Sequence, residues 1–332
     1  MRLLKVIHNT FNIGELSNAN YHAHKGISGT GLSKIYDTSM LSWLKTERKS
    51  SDALGFGIAS HANFLEPDMF NDEFYCGFDE KKHPKALRTQ NDFKAFLSEN
   101  GLKVSGSKKE QIARIVEFTE KTKEPIQIID LMKTKHDKAN TNKIEVSARD
   151  FQQLNSMRDR LLSDRVIVDL IKGAMIEKSI ICLVDFYNDL NPKEPNTGQF
   201  VCIVKIRPDI VSKKFALVDY KTCLDCYDKF KKDIFNFNYD LKMALQHDVL
   251  NLVYKRKPTV TLLAQNKLAP SELSNPFEYK PWLLGDEILS NGRTKYLIAI
   301  RRYCEYQNTK KLIGQGNEPE YAPYLNWASA TA

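Results

Sequence analysis

Two clusters of charge set inside strand-forming sequence constrain this chain more than anything else in it. Three short runs, Ser179 to Phe186, Gln199 to Arg207 and Lys214 to Tyr220, are rich in Val, Ile, Phe and Tyr and read as strands. The turn-forming segment Asn188 to Gly198 separates the first two, so the spacing predicts a meander. Within it lie Lys205-Ile206-Arg207-Pro208-Asp209 and then Asp219-Tyr220-Lys221-Thr222. Side chains alternate along a strand, so Asp219 and Lys221 share one face while Tyr220 points away. If the strand ending at Asp209 pairs with the one carrying Asp219, both carboxylates reach one hard cation such as Mg²⁺, which takes oxygen ligands and keeps several waters.

Such a grouping has a chemistry. Cleaving a phosphodiester requires a nucleophilic water, a cation facing the non-bridging oxygens and help for the leaving group. Asp209 and Asp219 would hold the metal, the backbone carbonyl of Tyr220 would add an oxygen, and Lys221 would orient or activate the water. A bare Asp-x-Lys is more often an exposed surface pair of little energetic value. The surrounding sequence has to decide.

Around this centre the chain alternates helices and strands. Residues 28 to 80 read as mainly helical, with a helix over Gly55 to Phe64 stopped at Pro67, and His61 late in it. An amphipathic helix runs from Ser147 to about Ile171 on Phe151, Leu154, Met157, Leu161 and Leu162. A helix over Asp240 to Tyr254, a strand over Thr259 to Ala264 and a long helix from Asp286 to Tyr306 complete an α/β pattern with a mixed sheet. The expected organisation is an N-terminal helical part over 1–80, a charged insert over 81–147 and the core over 148–332.

Within the insert, Phe93, Phe96 and Leu97 mark a short helix that stops at Gly101, and Ser107-Lys108-Lys109-Glu110 is a capping box that opens a second. The run from Leu102 to Glu110 resembles the SAP motif, a small module that binds DNA backbone, over a pattern spanning 91–118. That resemblance implies phosphate contacts from Lys103, Lys108, Lys109 and Arg114, each weakening with salt.

Lys and Arg outnumber Asp and Glu by 49 to 41 in 332 residues, a formal charge of +8 that suits a polyanionic partner without requiring one. No run approaches the roughly 20 apolar residues of a membrane span, so a membrane role is not expected. The six cysteines are scattered and no secretory signal opens the sequence, so free thiols in a reducing cytoplasm are expected. Cys223 and Cys226 form a lone Cys-x-x-Cys without a second pair, and are expected to be ordinary thiols.

Pro208-Asp209 with Asp219-x-Lys221 resembles the signature of the PD-(D/E)xK nuclease superfamily, and specifically the RecE (exonuclease VIII) group of phage and prophage exonucleases. The run from Gly57 to Pro67 looks like that group's helix bearing a metal-binding histidine, here His61. Asn238-Tyr239-Asp240-Leu241, Trp282 to Glu287 opening the last helix, and Asn326-Trp327-Ala328 also fit. The resemblance implies a restriction-endonuclease-like core flanked by helices. It further implies a Mg²⁺-dependent exonuclease, with Mn²⁺ able to substitute, that degrades one strand of linear double-stranded DNA from 5′ to 3′ and leaves single strand for recombination. Duplex ends, a single-strand annealing protein, a homo-oligomeric assembly and a bacterial host cytoplasm are the implied context.

Glu177 matches an acidic position of the group that can bind metal through water. The sequence departs from the group where Gln is usually followed four residues later by Tyr: here those positions read Lys242 and Gln246. Being four apart they share a helical face and can touch a phosphate or the catalytic lysine. An endonuclease with the same centre, or a DNA-binding protein without turnover, are the competing expectations.

Overall fold

The computed structural model describes residues 1–9, 16–45, 52–190, 199–268 and 277–312. The chain divides into two compact units, Met1–Ser51 with Arg160–Ala332, and Asp52–Asp159. These boundaries differ from the expected 80/81 and 147/148. The helices Asp52–Leu65, Pro67–Glu73 and Ala148–Leu162 share one apolar cluster of Ala59, Ala62, Phe70, Phe74 and Leu154, so they belong with the insert. Pro67 does more than end a helix: it occupies the first turn of the next, where its missing N–H costs nothing.

Numbered along the chain, the strands are β1 (Arg2–Asn9), β2 (Ile27–Ser28), β3 (Phe74–Cys76), β4 (Ile144–Val146), β5 (Met175–Ile176), β6 (Ile180–Asp185), β7 (Val201–Ile206), β8 (Ile210–Val211), β9 (Ala216–Cys223), β10 (Thr259–Asn266) and β11 (Tyr279–Leu283). The first unit carries two sheets, ordered β1-β6-β7-β2 and β11-β10-β9-β8-β5. In the second of these β9 and β10 run parallel while the other pairs are antiparallel, which makes it mixed.

The expected meander breaks at Pro208. β6 and β7 form an antiparallel pair, but β7 ends at Ile206 and never reaches β9. Proline has no N–H to give a ladder and restricts the residue before it. The chain leaves one sheet at Arg207-Pro208 and re-enters the other as two-residue β8, which pairs Ile210 with Val218 and Val211 with Leu217. Asp209 therefore sits at the seam, immediately before β8.

Two further expectations are corrected. The single helix over Ser147 to Ile171 is two, Ala148–Leu162 and Arg165–Ile171, because Asp164 caps the second by accepting from the Val166 N–H at 2.8 Å. Trp282 and Leu283 belong to β11 and do not open the last helix, which starts at Asp286 as expected. β1 at the N-terminus and short helix Tyr187–Leu190 in the presumed turn were not anticipated. Asn326-Trp327-Ala328 lies outside the described residues.

Helix Tyr239–Tyr254 is the centre of the first unit's core, buried through Leu241, Met243, Ala244, Leu245, Val249 and Leu250. Helix Asp286–Thr309 packs on it at a glycine: a Cβ on Gly292 would overlap the Asp240 carbonyl oxygen. Polar locks flank that contact. Lys295 reaches Asp240 at 2.9 Å and Asn238 Oδ1 at 3.0 Å, while Asn291 donates to Asp240 at 2.6 Å. Burial opposes charge on Asp248, but hydrogen bonds from His247, Arg293 and Tyr296 outweigh it and hold the carboxyl at about 2.

The second unit has a separate small core of Phe93, Leu97, Ile115 and Ile128 between helices Gln90–Glu99 and Lys108–Thr122. Gly101, at φ +64, turns the chain after the first, and the capping box closes with Ser107 N–H to Glu110 at 2.7 Å. Arg114 is spent internally, donating to the backbone carbonyls of Lys103 and Ser105, and Lys108 pairs with Asp130 at 2.6 Å on the surface.

Because the Gly292 contact is backbone against backbone, the neighbour cannot yield by a rotamer change. Gly292→Ala should lower stability by about 2 kcal/mol or more, read as a drop in the urea midpoint. An unchanged midpoint would mean that the two helices are not held at this point.

Candidate active site

β9 delivers Asp219 and Lys221 to one face, and the seam delivers Asp209 beside them. Lys221 Nζ lies 2.5 Å from Asp219 Oδ2 and 4.0 Å from Asp209 Oδ2. It also donates to the Tyr220 carbonyl oxygen at 3.1 Å. Asp209 Oδ2 accepts the Tyr220 N–H at 2.8 Å, a bond that carries the seam across to β9 where the short ladder stops. Tyr220 turns the other way, 1 % exposed, and its hydroxyl donates to Gln265 at 2.6 Å. The structure thus brings together Asp209, Asp219, Lys221 and the Tyr220 carbonyl.

Glu177 joins them. Its N–H donates to the Asp209 carbonyl at 3.0 Å, and one of its carboxylate oxygens lies within 4.8 Å of one on Asp209. Its backbone is left-handed, φ +48, a conformation few non-glycine residues adopt and one found where surroundings over-determine it. Arg207 Nε stands 3.0 Å from Glu177 Oε2. Sequence reasoning assigned Arg207 no role, although it lies in the same charged cluster.

Asp209 and Asp219 are 7 % and 8 % exposed. Burial first, and then the neighbouring Asp219 charge, pushes the Asp209 carboxyl well above the ordinary range. Burial works against the Lys221 ammonium too, but Asp219 and Asp209 prevail and hold it above the usual lysine value. These facing carboxylates, a backbone carbonyl and a carboxyl that resists ionising alone are a donor set that fits a hard divalent cation.

Helix Tyr239–Tyr254 supplies the opposite wall. The Tyr239 ring, which sequence reasoning noted but gave no part, has Lys221 Nζ at 5.6 Å and Lys242 Nζ at 5.2 Å from its centroid. Burial, then Lys221, depresses the Lys242 pKa. Gln246, one turn on, has its side-chain oxygen buried without a hydrogen-bond partner among the described residues.

The other predicted residues belong to the second unit. His61 is half-buried on its helix Asp52–Leu65. Lys103, Lys108 and Lys109 are exposed on its helical module. In the first unit, Cys223 and Cys226 are protonated packing groups: burial lifts their thiols to about 12 and about 11, and Asn266 and Trp282 bond the backbone of Cys226.

Comparison with known proteins gives this arrangement a family. Residues 38–322 match the PDDEXK-like domain of unknown function DUF3799. The chain belongs to this family. It thereby joins the PD-(D/E)xK nuclease superfamily, with the restriction-endonuclease-like α/β fold. Among solved structures it is similar to a crystal structure from Eubacterium rectale described as a candidate exonuclease, with TM-score 0.52 and 14 % identity, covering 94 % of this chain and 96 % of that one. No curated protein sequence matches. Among the described residues no helix is long and apolar enough to cross a membrane.

The raised Asp209 pKa has a sign. Its contribution favours folding below the unfolded value of about 3.9 and is lost as pH rises through the folded value. Metal-free protein should therefore lose stability as pH climbs out of the acid range. Asp209→Asn should raise the metal-free thermal midpoint at pH 8 by a few degrees, roughly 1–2 kcal/mol, and abolish stabilisation by added Mg²⁺ or Mn²⁺. A lowered metal-free midpoint would contradict this electrostatic account.

Proposed function

We propose that the protein is a Mg²⁺-dependent exodeoxyribonuclease that begins at an end of linear duplex DNA and removes one strand, 5′ to 3′, leaving single strand for recombination. The observation that carries the reading is the convergence of Asp209, Asp219 and Lys221 on one point of the seam. The family supports a nuclease, and the exonuclease described for the similar Eubacterium rectale protein favours attack from an end.

Asp209, Asp219, the Tyr220 carbonyl and, through water, Glu177 would hold the cation, with His61 as a further ligand on the strength of its helical motif alone. A cation bound there supplies charge against the phosphate oxygens and acidifies its water. Lys221, held by Asp219, would orient that water. Lys242 and Gln246 present a cation and an unsatisfied oxygen from the facing helix. On the second unit, Lys103 and Lys109 are proposed phosphate contacts of the SAP-like module, Lys108 a weaker one and Arg114 a brace for its loop. An annealing protein as partner and a homo-oligomer that tracks along DNA complete the proposal.

Linear duplex labelled at either 5′ or 3′ end, incubated with Mg²⁺, tests activity and polarity together. The 5′ label should leave first, closed circular DNA should survive, and Asp219→Ala or Lys221→Ala should reduce cleavage at least 1,000-fold while DNA is still bound. Cleavage of the closed circle would instead establish an endonuclease.

The module makes its own forecast. Lys103→Ala with Lys109→Ala should flatten the dependence of log affinity on log salt by roughly 2, about 0.9 for each phosphate no longer neutralised. An unchanged slope would exclude those two lysines from the DNA interface.

A further inference from the structure

Helices Asp228–Asn236 and Tyr239–Tyr254 meet at a two-residue elbow, Phe237-Asn238. The elbow is fixed. Asn238 is left-handed at φ 50, donates to Asp37 at 2.7 Å and to Ser33 at 3.2 Å, and accepts from Lys295 at 3.0 Å. The Phe237 N–H is bonded to the Asp233 carbonyl at 3.0 Å. Yet Phe237 leaves 54 % of its surface in solvent and Phe235 leaves 45 %, while Phe230 on the same helix is buried.

Single exposed apolar residues are common and need no explanation. The position of this one does. The Phe237 ring centroid is 5.8 Å from that of Tyr239, the ring that also faces Lys221 and Lys242. Phe237 therefore stands one ring away from the Lys221 ammonium, at most about 11 Å from it. That is the length of about three stacked nucleotides at roughly 3.4 Å each. Lysines draw the phosphates of a strand to this wall, and an exposed aromatic face on a rigid backbone offers its bases a surface to stack on. Single-stranded nucleic acid is commonly held by this pairing of cations with aromatic faces.

We infer that Phe237 is a stacking platform for an unpaired nucleobase of the strand being cut, within three nucleotides of the scissile phosphate. The inference rests on the nuclease reading and adds a nucleobase subsite to it. It requires that duplex DNA be opened locally at the centre, and that the base itself, as well as the phosphate, contribute to binding.

The test uses the full chain and two linear duplexes, one intact and one lacking bases at the first three nucleotides of the degraded strand. Phe237→Ala should cut kcat/KM on the intact duplex by roughly 5- to 150-fold, the range of one base–aromatic stack, and Phe237→Trp should restore it. On the abasic duplex, wild type and Phe237→Ala should be equal. The thermal midpoint should move only slightly, since the contact given up is the partly exposed one with Tyr239. With 2-aminopurine at those positions and Asp219→Ala to block turnover, the bound base should be dimmer when Phe237 is present than when it is replaced by Ala. Equal losses on both duplexes, or none on either, would overturn the stacking role while leaving the nuclease intact. Failure of the wild type to cleave any linear DNA would overturn the nuclease reading itself.

Discussion

Two carboxylates buried side by side repel each other and resist leaving water, and Lys221 is what makes their neighbourhood tolerable. Its ammonium touches Asp219 and approaches Asp209, and the Tyr220 N–H gives Asp209 a second stabilising contact. The compensation is incomplete, since the Asp209 carboxyl still sits well above its ordinary range. Charge arranged this way serves the fold poorly and a cation well. The centre is thus a place where the structure carries an electrostatic cost.

What surrounds it is rigid. The Gly292 contact lets two helices approach backbone to backbone, and the half-buried Asp248–Arg293 pair and the buried Asp240–Lys295 pair fix their register. Removing one member of such a pair would leave a charge stranded in the core. The wall that bears Tyr239, Lys242 and Gln246 is therefore fastened from behind.

The strand runs and the helices around Tyr239 and Asp286 were legible because each repeats its apolar residues at its own period. So was the shared face of Asp219 and Lys221, which follows from alternation alone. The two-sheet arrangement was not legible: β8 has two residues, too few for any periodic signal, and only its pairing with β9 reveals it. Pro208 carried the warning, as a residue unable to continue a ladder. The helix break at Asp164 is one side-chain cap inside an otherwise continuous apolar stripe, and the unit boundary at Asp52 depends on packing between distant helices. Tyr239 and Arg207 were visible as letters, but their parts in the site arise from contacts made across the fold.

The seam at Arg207-Pro208 has a wider implication. Since Asp209 directly precedes β8, whose Ile210 pairs with Val218 of β9, the geometry of the acid pair rests on a ladder only two residues long. Substitutions among the apolar residues that seat β8 on β9, with no polar group of their own, can therefore tune the gap between the carboxylates.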